Sequence, residues 1–167
     1  SKDFKISSFK KIKLDYVDIN KIKNDLIIKN IKKNIFQVSS NNFDLSKIIN
    51  DILFSDDESS IKMFDERNRI FKVNLKRNKI DDEHNLLNLN GSFQIKNNKV
   101  HDLILDSYFP NKKNVSLTIK SKDKKIVTTF NTDFAKPFVK KYKFIKGFEG
   151  GKIDFYSIKE NEISDSE

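Results

Sequence analysis

In the segment VSLTIKS, residues 115–121, Val115, Leu117 and Ile119 alternate with Ser116, Thr118 and Lys120. Successive side chains of a β-strand point to opposite faces, so this period of two predicts a strand with one apolar face and one wet one. The same pattern recurs in FKVNLKR, where Phe71, Val73 and Leu75 alternate with Lys72, Asn74 and Lys76. It recurs again in NLLNLNGSFQI, with Leu87, Leu89, Phe93 and Ile95 on one side and Gly91 in phase with them. That glycine is read as a bend or bulge. KVHDLIL adds Leu103 and Leu105. These twelve apolar residues are expected to share one continuous surface: Phe71, Val73, Leu75, Leu87, Leu89, Phe93, Ile95, Leu103, Leu105, Val115, Leu117 and Ile119. A chain patterned this way has to fold as a sheet.

Turn signals divide the strands. Asn97-Asn98, the run from Pro110 to Asn114 and the run from Ser121 to Lys124 each suit a tight antiparallel connection, so a four-stranded meander is expected from about Leu86 to Phe130. Less regular strands are expected near 4–16, 25–29 and 34–40, and KIDFYSI supplies one more. Two segments break the period. Leu45, Ile48, Ile49, Ile52 and Leu53 recur at helical spacing after Asp44, a good N-cap. Phe134, Phe138, Val139 and Tyr142 do the same after a cap at Thr132 or Asp133, with Pro137 tolerated in the first turn. The expected fold class is mainly β (α+β): a curved antiparallel meander sheet with two short helices, and a possible groove. Residues 1–167 form one β-rich segment, with strands and the first helix in 1–60, the meander and second helix in 61–158, and a disordered tail at 159–167.

Charge points toward a partner, then away from one. The net charge is +9, but 30 Lys stand against 3 Arg (Arg67, Arg69 and Arg77), and 24 acids are interspersed among them. Nucleic-acid readout favours the bidentate guanidinium fork and a gathered basic stripe, so no nucleic acid is expected as a partner. A content of 15 Phe and 22 Ile argues against disorder, and one domain or a piece of one fits the length. No apolar run approaches the roughly 18 residues that span a bilayer. The absence of Cys removes disulfides and thiolate chemistry together.

The chain has 4 glycines, and three of them fall in YKFIKGFEGGKIDFY. That spacing fits neither the P-loop nor the dinucleotide fingerprint, and the glycines follow a helix, where anions are repelled. Gly147 is read as a helix end, and Gly150-Gly151 as the entry to a strand. His84 follows Asp81, Asp82 and Glu83 without zinc-ligand spacing, and the acids of SDDESS lack the calcium-loop pattern. His101 falls at a surface position of its strand. No GxSxG elbow is present for Ser-His-Asp chemistry. No active site, metal or cofactor is expected. Two uses of the apolar surplus stay open: the sheet fills its own core, or it forms a groove for lipid chains.

The run from Leu89 to Tyr156 resembles the AsmA-like repeat proteins, closest to the YhdP type. Leu89-Asn90-Gly91 matches that family's leucine–x–glycine strand, Thr132 to Phe138 its short helix, and Phe148 to Ile153 its glycine-pair entry to the next strand. The resemblance covers about residues 86–158. FDLSKIINDIL resembles the preceding helix, and Ala135 stands where the family usually has glycine. The resemblance implies a non-catalytic segment of a larger periplasmic protein, tethered to the inner membrane through a segment absent from this chain. It also implies phospholipid and neighbouring repeats of the same parent chain as partners, and a hydrophobic groove supporting phospholipid transport and envelope integrity. The alternatives are a basic interaction module that binds nucleic acid or an acidic partner, and a purely structural segment of a longer sheet.

Overall fold

A computed structural model describes residues 9–19, 21–46, 68–96, 99–122, 124–142 and 150–160. Nine strands form a single sheet in sequence order: β1 (Lys11–Val17), β2 (Lys23–Lys32), β3 (Ile35–Asp44), β4 (Arg69–Lys79), β5 (Asn85–Lys96), β6 (Lys99–Tyr108), β7 (Asn114–Lys122), β8 (Lys125–Thr132) and β9 (Ile153–Glu160). β1 and β9 are the outermost strands, so the sheet is open. The expected four-stranded meander is β5 to β8, and the alternating segments lie where the period of two put them. β9 runs through Glu160, two residues into the expected tail.

An all-antiparallel sheet was expected, and the sheet is mixed. β3 and β4 pair in parallel, from Ile35↔Ile70 to Asp44↔Lys79, while every other pairing is antiparallel. A parallel pair needs a crossover of a dozen or more residues, and the stretch 45–68 between β3 and β4 supplies one. The first expected helix falls on this crossover. At its described start the Ser46 amide donates to Asp44 Oδ1 at 2.8 Å. The helix beyond Ser46 lies outside the described residues, as does Gly147.

The described residues thus contain one short helix rather than two: α1 (Lys136–Tyr142), about two turns long. It begins later than the caps considered for it. Thr132 Oγ1 accepts the Phe134 amide at 3.1 Å in a local turn, and the Ala135 carbonyl then receives the first helical bonds, from Phe138 and Val139, at 3.0 Å each. Ala135 is wholly buried, and its amide donates to the Gly151 carbonyl at 2.9 Å. That bond ties the helix start to the entry of β9, where Gly151 has φ 138°.

Packing settles into three clusters. At one end of the sheet Phe138 of α1 meets Ile80, Leu86, Phe109, Val115 and Phe130. Phe43, Leu45, Val73, Leu75 and Leu89 form the middle, and Phe36, Phe71 and Ile95 the other end. There the rings of Phe9, Phe36, Phe71 and Phe93 follow one another at 4.9, 5.3 and 4.7 Å. The buried Arg69 guanidinium lies 5.4 Å from the Phe36 ring centre, a cation–π arrangement.

Leu87 is the exception among the twelve apolar residues expected on one face. The β5–β6 register shifts between Leu87 and Asn90, and Asn88 has φ 50°. This bulge breaks the alternation, so Leu86 is buried at 3% while Leu87 is only half-buried and pairs with Tyr108. Gly91 itself is not the bulge. Its φ is 151°, and an added Cβ would meet the β6 backbone, 2.9 Å from the Ile104 carbonyl carbon and 3.0 Å from Leu105 Cα.

Candidate functional site: an apolar face in register across nine strands

Strand register converts separate alternations into rows that cross the whole sheet. Ile12 of β1 pairs with Ile28, Ile28 with Val38, Val38 with Val73 and Val73 with Gly91. From there Gly91 pairs with Leu105, Leu105 with Leu117, Leu117 with Phe130 and Phe130 with Phe155 of β9. One line of directly opposed apolar positions therefore runs from edge to edge, with Gly91 as its smallest member. Eight gaps of roughly 4.8 Å make it about 38 Å long.

A second row, Phe36–Phe71–Phe93–Leu103–Ile119, runs beside it before ending in Thr128 and Ser157. On the opposite face the equivalent row reads Lys13, Ile27, Ser39, Asn74, Asn90, Asp106, Ser116, Asn131 and Asp154. Polar residues occupy eight of those nine strands. The sheet has two chemically opposite faces along its entire width.

The structure brings together eleven of the expected surface residues and separates Leu87. Access divides the eleven further. Phe71, Val73, Leu75, Leu89, Ile95, Leu103 and Val115 are buried and serve as core. Phe93, Leu105, Leu117 and Ile119 are half-buried and form the reachable part. Sequence reasoning missed the continuation of this part through the half-buried Ile12, Ile28 and Val38, and through Phe155, which is 48% exposed. In β2 the adjacent Ile27 and Ile28 blur the period; in β9 the alternation of Ile153 and Phe155 was legible, but its register with the meander was not.

Polar groups gather at the α1 end. Lys79 Nζ lies 2.9 Å from Asp82 Oδ1. The hydrogen bond, then the attraction, raises the lysine pKa above its ordinary value and lowers that of the aspartate. Asp133 is lowered in the same way by its hydrogen bond and attraction to Lys152, 2.9 Å away. The Asp81 carboxylate accepts the amides of Glu83 and His84 and sits 2.9 Å from His84 Nδ1, while the imidazole packs edge-on against Phe134. His101 Nδ1 lies 2.7 Å from Asp102 Oδ2, and Ser121 Oγ donates to the His101 carbonyl and not to its ring. Nucleophile, base and orienting acid therefore do not line up there. Among the described residues no group of three His, Asp or Glu side chains is placed to hold a metal ion. No described helix is long and apolar enough to cross a membrane.

Fold and site together define the class: an open, mixed nine-stranded sheet protein with one apolar and one polar face. Comparison with protein-family models, with curated proteins and with solved structures gives no match.

Proposed function

We propose that the chain is a non-catalytic lipid-handling segment of a larger cell-envelope protein, in which phospholipid acyl chains lie along the apolar face. The observation that carries this reading is the apolar row in register from β1 to β9. Val73 and Phe130 of this row are buried, so the part an acyl chain reaches is the half-buried Ile12, Ile28 and Val38 on β1–β3, Leu105 and Leu117 on β6–β7, and the exposed Phe155. Each methylene that leaves water contributes on the order of 0.8 kcal/mol, so a chain of ordinary length is held firmly and still slides along a face of uniform chemistry.

The resemblance to the AsmA-like proteins supports the same reading and assigns the setting: the periplasm, a parent chain anchored in the inner membrane, neighbouring repeats extending the sheet, and phospholipid moving toward the outer membrane. The groove is the curved apolar face itself, with headgroups at its wet rim. Incubating the purified chain with bacterial phospholipid and analysing what co-purifies tests it. Retained phospholipid is expected from the natural chain, and at least tenfold less from Leu105→Gln/Leu117→Gln, which replaces two half-buried members of the row. A natural chain that retains none contradicts the reading.

A further inference from the structure

The topology sorts charges that the sequence leaves mixed. Hairpins return to the same end of the sheet at the β2–β3, β5–β6 and β7–β8 turns, and β1 and β4 start there. The first and last of these turns carry Lys32, Lys33, Lys124 and Lys125, all exposed, with the exposed Lys120 close by on β7. Register also sets like charges opposite one another: Lys11 faces Lys29. Directly opposed like charges on a sheet destabilise it.

At the other end the comparable like-charge pair, Asp15↔Asp25, is compensated. Lys13 and Lys23 approach Asp15, and Asp25 accepts the amides of Asn41 and Asn42. Among the described residues the basic end holds only two carboxylates, Asp102, engaged by His101, and Glu160, opposite Lys125. Exposed apolar side chains accompany the lysines: Ile31 at 46%, Ile70 at 38% and Ile158 at 51%.

We propose that this lysine-rich end docks on an anionic phospholipid bilayer surface, with the exposed isoleucines entering the interface. Lysine clusters flanked by apolar side chains suit an anionic leaflet, whose headgroups relieve the lysine repulsion. Single-stranded nucleic acid would need accessible rings for stacking. Here Phe36 and Phe71 are 2% exposed and stacked on each other, and Arg69, the arginine among the described residues at this end, is buried. The choice of a membrane rests on the lipid reading of the apolar face, but docking is measured separately from acyl-chain retention.

The test is flotation with phosphatidylcholine vesicles, with and without phosphatidylglycerol, using the full chain. Lysines near an anionic leaflet each raise association on the order of fivefold. Lys32→Gln/Lys33→Gln/Lys120→Gln/Lys125→Gln is therefore expected to weaken binding to anionic vesicles more than tenfold. Lys21→Gln/Lys76→Gln/Lys112→Gln/Lys113→Gln, the same charge change at the opposite end, is expected to change it less than threefold. Circular dichroism checks that both variants are folded. Absence of binding to anionic vesicles, equal losses in the two variants, or tighter binding to DNA or RNA oligonucleotides than to vesicles overturns the proposal. A chain that floats with vesicles but retains no lipid after their removal defeats the acyl-chain reading alone.

Discussion

At Gly91 the sheet leaves no room for a side chain, because the β6 backbone occupies the space a Cβ would fill. Its φ of 151° also resists any other residue. Gly91→Ala is expected to cost roughly 2 kcal/mol or more, read as a lower urea midpoint. The bulge at Asn88 allows a sharper comparison of neighbours. Leu86→Ala removes a buried core side chain and is expected to cost about 2–5 kcal/mol, whereas Leu87→Ala should cost less than half as much. Equal costs would mean that the alternation runs on unbroken through β5. This is also where the sequence was least legible: Leu87 and Leu89 are in phase, and only the positive φ at Asn88 shows that Leu86 is the residue turned inward.

Among the elements, the meander β5–β8 was readable because each strand keeps its period and each turn has its own Asn, Pro or Lys-Asp signal. The parallel β3–β4 pair was not readable, since alternation determines which residues face inward but says nothing about strand direction. The α1 region lay between these cases. Its apolar spacing was visible, but its start was displaced because Thr132 spends its hydroxyl on a local turn before the helix begins. Lys152 and Asp133 join this turn to the entry of β9. The pair makes a pH prediction. The folded pKa of Asp133 is depressed, so its contribution is complete above the unfolded value of about 3.9 and is lost as pH falls through the folded value. The difference in thermal midpoint between the natural chain and Lys152→Met is expected to be steady above about pH 5 and to shrink below about pH 4. Both groups are in water, so added salt should shrink it too.

Over the whole molecule, the two chemically opposite faces and the gathering of lysines at one end arise from register, which no stretch of sequence displays by itself. Alternation in each strand pointed to an apolar surface, but only pairing aligned nine separate residues into one line from Ile12 to Phe155. The scattered lysines likewise became a pole once hairpins carried their turns to the same side. Site-specific photocrosslinking tests the claim about the faces most directly. A photoreactive phenylalanine analogue replaces Leu117 in the apolar row or, separately, its neighbour Thr118 on the polar face, and each chain is irradiated with bacterial phospholipid. Phospholipid adducts at position 117, with few or none at 118, are the expected result. Equal labelling at both positions, or none at 117 in a folded chain, would contradict it.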